Sequence, residues 1–168
     1  MDVFDYAMKM EMDGKAFYEK GAVEADRPEI KKVLTTLAEE EQKHYDVFKS
    51  LKANADDQAT QAMTETGTPA LARNVFLKLA DSGTDTLYGD EQQKLWKEAI
   101  KIEEESEKLY RDAAAEENNE ARRDLLNRIA DEEKNHIYLI HNMIDFMRDP
   151  TGFVDSAQFK NFMSWEGH

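Results

Sequence analysis

Two short stretches, EEEQKH ending at His44 and DEEKNH ending at His136, each set a glutamate three residues before a histidine. On a helix a three-residue step returns to nearly the same face, so Glu41 with His44, and Glu133 with His136, each present a carboxylate beside an imidazole. Oxygen and nitrogen donors in that combination suit first-row divalent metals. Around Glu41 the chain also carries Glu39 and Glu40. At 100° per residue these fall about 200° and 100° away from Glu41, and they read as solvated charges.

Apolar residues continue the same faces. Ile30, Leu34 and Leu37 lead into Glu41 and His44, and Phe48 and Leu51 follow. Leu126 and Ile129 lead into Glu133 and His136, and Ile140, Met143 and Met147 follow. Two further stripes at helical spacing each hold one glutamate: Phe4, Ala7, Glu11, Gly14, Tyr18, Ala22, and Trp96, Ala99, Glu103, Ser106, Tyr110, Ala114. Because such stripes turn toward a core, Glu11, Glu41, Glu103, Glu133, His44 and His136 are expected to converge in an apolar interior. An ionised carboxylate left unpaired there costs several kcal/mol, and four together repel. No lysine or arginine lies on those stripes near these positions. Two divalent ions would balance the four carboxylates, with the imidazoles completing each coordination sphere.

The elements that must position these groups are helices. Gly and Pro are few, helix formers dominate, and no segment alternates with period two for long. Four long helices are expected over about 2–25, 28–53, 88–117 and 120–148. Segments 7–22 and 33–48 repeat as 99–114 and 125–140 at a constant offset of 92 residues, which pairs Glu11 with Glu103, Tyr18 with Tyr110, Glu41 with Glu133 and His44 with His136. Two similar hairpins joined by a crossover over about 54–87 give an all-α antiparallel four-helix bundle with approximate twofold symmetry. Thr68-Pro69 and then Leu71, Val75 and Leu79 predict a short helix within the crossover. Residues 1–149 thus form the bundle and 150–168 a tail. In the tail Ser156 would cap a short helix whose Phe159, Phe162, Met163 and Trp165 dock on the bundle or on a second subunit.

Composition narrows the function. A formal charge of −14 argues against nucleic acid and anionic membranes as partners. With no cysteine, disulfides, thiolate zinc, iron–sulfur clusters and a four-thiolate iron centre are excluded. The acidic N-terminus and the lack of a long apolar run lead to the expectation of a cytoplasmic protein. Tyr18 and Tyr110 follow Glu11 and Glu103 by two turns; they could hydrogen-bond ligand carboxylates, relay electrons or fill the core. Trp96 and the methionines read as core, and His141, five residues past His136, as exposed.

The chain resembles the ferritin-like di-iron carboxylate proteins, and within them the rubrerythrin family. The resemblance rests on Glu11, Glu103 and the two Glu-x-x-His pairs and covers about residues 2–148; this ligand set is the established pattern of that superfamily. It implies a ferritin-like fold and two iron ions, with manganese or a mixed pair as alternatives. Glu11 and Glu103 would be terminal ligands, Glu41 and Glu133 bridges, and His44 and His136 ligands of one iron each. It implies a di-iron oxidoreductase active in oxidative stress, reducing hydrogen peroxide or dioxygen with electrons from a separate donor such as a rubredoxin-like protein. Iron binding or ferroxidase chemistry without peroxidase turnover is the alternative, and a homodimer is in keeping with the family. The pattern departs where rubrerythrins usually have another glutamate one turn beyond the third-helix ligand: here stands Ser106.

Overall fold

Most of the described helices begin where the sequence supplies a partner for the free N–H groups or a residue that needs none. The side chain of Asp2 accepts from the Phe4 amide at the start of α1 (Val3–Glu24), and Pro28 opens α2 (Pro28–Lys52). A short α3 (Asp56–Ala62) follows, then α4 (Asp90–Glu116) and α5 (Glu120–Arg148), the latter capped by Asn119 on the Arg122 amide at 3.1 Å. Two short helices finish the chain, α6 (Pro150–Asp155) and α7 (Ala157–Met163). This computed structural model describes residues 2–63, 73–75, 77, 78 and 89–165, and no strand occurs among them.

Helices α1 and α2 form one hairpin and α4 and α5 the other, and the four apolar stripes meet between them. Each buried Leu, Ile or Phe on these stripes contributes about 1.5–3 kcal/mol, which outweighs the mediocre intrinsic helix preference of the β-branched and aromatic residues. The core has two halves. One gathers Tyr18, Leu34, Leu37, Trp96, Ile140 and Met143; the other gathers Ala7, Phe48, Leu51, Tyr110, Leu126 and Ile129. The buried glutamates and histidines occupy the heights between these halves on all four stripes.

The four long helices run as the periodicity predicts, to within about two residues at each end, the usual scale of end fraying. Helix α3 was not anticipated. Its position follows from Asn54, whose φ of 54° ends α2 in the left-handed region, and from Arg122, which ties the turn to α5. The Arg122 guanidinium donates to Asp56 Oδ1 at 2.8 Å, to the Leu51 carbonyl at 2.9 Å and to Asn54 Oδ1 at 3.1 Å. Of the helix expected later in the crossover, Val75 is helical and buried, while Thr68, Pro69, Leu71 and Leu79 lie outside the described residues. In the tail, Ser156 caps α7 through the Phe159 amide. Phe153 and Phe162 are buried in this chain's own core, and Trp165 packs edge-on against Tyr138 at 5.1 Å.

Candidate metal centre

Six side chains, one or two from each long helix, meet in mid-bundle. Glu11 comes from α1, Glu41 and His44 from α2, Glu103 from α4, and Glu133 and His136 from α5; each is 0–1% exposed. Ligand atoms of Glu11, Glu41, His44 and Glu133 lie within 4.8 Å of one another, as do those of Glu41, Glu103, Glu133 and His136. Glu41 and Glu133 belong to both groups. All six residues singled out from the sequence are therefore brought together.

Both imidazoles aim the same nitrogen inward. His44 Nδ1 stands 3.0 Å from Glu133 Oε1 and 3.5 Å from Glu11 Oε2; His136 Nδ1 stands 3.3 Å from Glu103 Oε2, 3.3 Å from Glu133 Oε2 and 3.5 Å from Glu41 Oε1. Proximity is not bonding here. Although close to Glu133, His44 Nδ1 lacks hydrogen-bond geometry, and Glu11 Oε2, Glu41 Oε1 and both Glu133 oxygens also have no hydrogen-bond partner. Buried lone pairs left over in this way cost free energy unless something satisfies them. A divalent cation in each group would do so, and the donor set of carboxylates and imidazoles fits one.

The backbone makes room for this. A Cβ on Gly14 would sit 2.7 Å from Glu41 Oε2, so the shared carboxylate lies against a helix surface that only glycine leaves open. Tyrosines close the two ends: the Tyr18 hydroxyl donates to Glu103 Oε1 and the Tyr110 hydroxyl to Glu11 Oε1, each reaching across to the opposite hairpin. Both phenols are held well above their ordinary pKa, by burial first and then by the neighbouring carboxylates. Of the roles open to them, two are observed: each ring fills a half-core and each hydroxyl donates to a candidate ligand. Trp96 is fully buried, and His141 is exposed.

Burial and neighbouring charge shift most of the cluster's titratable groups toward their protonated forms. Burial raises Glu41 well above the usual carboxylate range, and the charges of Glu103, Glu133 and Glu11 add to it. Burial alone would lower His44, but Glu133 and Glu11 reverse this and hold it well above its ordinary value. In His136 burial is likewise outweighed, by Glu103, Glu133 and Glu40. Glu103 goes the other way: burial would raise it, and His136 with hydrogen bonds from its neighbours brings it below its usual value.

The structure corrects one glutamate, Glu40, and adds its equivalent, Glu132, which the stripes do not single out. Glu40, expected to be a solvated charge, is buried and bonds His136 Nε2 through Oε2 at 2.5 Å. Its equivalent on α5, Glu132, bonds His44 Nε2 at 2.8 Å. The 100° that takes Glu40 off the core stripe of α2 points it at α5, where it meets the outward nitrogen of the histidine on that helix. Such an acceptor fixes the tautomer that leaves Nδ1 as ligand atom. The signal was available, since Glu40 and Glu132 are identical at the repeat offset. A cation does stand beside the stripe, though none lies on it. Lys43, which flanks the stripe, lies 2.8 Å from Glu132 Oε2, so the added charge of Glu132 is balanced within the protein.

A four-helix bundle with a carboxylate and histidine cluster buried between two apolar half-cores defines an all-α, ferritin-like metal-binding protein. The rubrerythrin family model matches residues 2–144, and the chain belongs to that family of di-iron carboxylate proteins. No curated protein and no solved structure matches it. Among the described residues no helix is long and apolar enough to cross a membrane.

Proposed function

We propose that the chain is an iron-dependent oxidoreductase that reduces hydrogen peroxide to water with electrons from a separate donor protein. In this reading Glu11 and His44 would hold one iron and Glu103 and His136 the other, with Glu41 and Glu133, common to both donor groups, available to each. The observation that carries it is the overlap of the two donor groups at Glu41 and Glu133, which favours one dinuclear site over two separate ones. Manganese would accept the same donors. Iron bound there would supply the electrons that break an O–O bond.

The protein's own side chains do the remaining work. Burial of all six candidate ligands limits access to small oxidants, and membership of the rubrerythrin family favours peroxide among them. Tyr18 and Tyr110, with their pKa values raised, stay protonated and serve as fixed donors to Glu103 and Glu11 rather than as acids. Glu40 and Glu132 accept from Nε2 and so hold each imidazole in one orientation. In this reading electrons would come from a redox partner such as a rubredoxin-like protein.

The test is to load the protein with iron, reduce it without air and follow reoxidation. Peroxide is expected to react faster than dioxygen, and Glu133→Ala to abolish the difference. Equal or slower reaction with peroxide would leave iron binding or ferroxidase chemistry as the function.

A further inference from the structure

Far from the buried cluster, the outer grooves of the two hairpins occupy equivalent positions in the repeat. Between α4 and α5 the groove is strapped shut: the Arg111 guanidinium donates to Asp131 Oδ1 at 2.6 Å, to the Asn127 carbonyl at 3.3 Å and to Glu107 Oε1 at 3.4 Å. Between α1 and α2 the same four positions hold Glu19, Glu39, Thr35 and Lys15, so no guanidinium spans the gap. A cavity of about 480 Å³ lies open there, lined by the buried Ala22 and Ala38 and by Val23, which is 81% exposed. Lys15 is engaged within the chain, donating to Gln42 Oε1 at 2.8 Å and standing 3.7 Å from Glu19 Oε1. Lys31 and Glu39 line the same cavity, are exposed, and form no salt bridge among the described residues.

Charge and size both fit this face to a second copy of the chain. Lys31 and Glu39 stand four residues before and four after Thr35 on α2, about one turn either way. A two-fold axis over Thr35 sets the two α2 helices antiparallel and brings Lys31 of each copy against Glu39 of the other. Lys15, Glu19, Lys31 and Glu39 together carry no net charge, so this patch spares two chains of −14 each a like-charge contact. The 25 residues of α2 extend about 37 Å and a helix pair is about 20 Å wide, a face of roughly 700 Å². A stable interface takes about 800 Å² from each partner. We propose that the α1/α2 face is an isologous dimer interface, in which a second copy covers Val23 and the cavity and the Lys31 and Glu39 side chains pair across the two-fold axis.

Sedimentation equilibrium of the full-length, metal-free protein tests this, with circular dichroism melts reporting the fold of each variant. The unmodified chain is expected to be a dimer that dissociates on dilution. Glu39→Lys sets lysine against lysine at both contacts and Lys31→Glu sets glutamate against glutamate, and each weakens association by about 10–100-fold. The two changes in one chain restore opposite charges at both contacts and return the dimer. If a reversal fails to fold, Val23→Asp replaces it: a charge on a side chain that the second copy covers weakens association as well. A monomer at every concentration, which leaves the groove to a different protein, overturns the proposal. A dimer indifferent to the single reversals or to Val23→Asp, or a doubly reversed chain no better than either single one, overturns it too.

Discussion

Replacing Gly14 with alanine should move stability and metal affinity in opposite directions. Gly14 lies within α1, where glycine costs about 0.5–1 kcal/mol relative to alanine, so the substitution favours the helix itself. The new methyl group would stand 2.7 Å from Glu41 Oε2, and ordinary contact at 3.4 Å requires the carboxylate to withdraw by about 0.7 Å. In the metal-free protein the contact is the far end of a flexible side chain, which yields. The melting temperature without metal should therefore rise by roughly 1–4 °C for a chain of this size. With metal, Glu41 belongs to both donor groups and cannot yield freely, and sites of this kind tolerate displacements of only about 0.5 Å. A loss of about 10–100-fold in affinity is expected, which removes about 1.4–2.8 kcal/mol of metal-linked stabilisation per ion. Calorimetric melts with and without Mn(II), together with chelator competition, measure both. Unchanged metal affinity would refute the placement of Glu41, and a metal-free loss above about 2 kcal/mol would refute the claim that its carboxylate can swing aside.

Glu40→Gln should weaken divalent metal binding by about 10–100-fold, whereas Glu39→Gln, one residue away and exposed, should leave chelator competition unchanged. Tyr110→Phe removes the buried donor to Glu11 Oε1 and should lower metal-free stability by about 1–3 kcal/mol in urea unfolding. Metal binding should release protons, because Glu41, His44 and His136 are all held above their ordinary pKa values without metal. Calorimetry in buffers of different ionisation heat will detect that release, and affinity should fall as pH falls. The metal-free fold responds in the reverse sense. The histidines' contribution is complete below their unfolded value of 6.5 and is lost as pH rises through their raised folded values, while Glu41 becomes costly above 4.5. Its melting temperature should therefore decline from mild acid toward alkaline pH, and a flat or rising profile would contradict these shifts.

The bundle was legible because its periodicity is unusually complete: on α2, Ile30 through Leu51 hold the core face without a break, and the polar pair replaces apolar residues at one height. The same regularity brought out Glu11 and Glu103, single glutamates on stripes that otherwise hold only apolar, small or tyrosine residues. Glu40 and Glu132 were not legible from periodicity, because a stripe describes one helix against a core. Their burial comes instead from the gap between two particular helices. Lys43 escaped notice for the same reason: its partner lies 89 residues later in the chain, on α5. Helix α3 depended on a left-handed Asn54 and on contacts made by the distant Arg122, neither of which leaves a periodic trace. The offset between the hairpins held more than the ligand positions. It also marks where the two halves differ, at Lys43 and Asn135 and at Gly14 and Ser106.

Anomalous diffraction at the iron edge from iron-loaded crystals tests the dinuclear centre most directly. Two peaks are expected, one bound to His44 Nδ1 with Glu11 and one to His136 Nδ1 with Glu103, and both in contact with Glu41 and Glu133. A single peak, ligation through Nε2, or iron bound only outside these six residues would contradict the account.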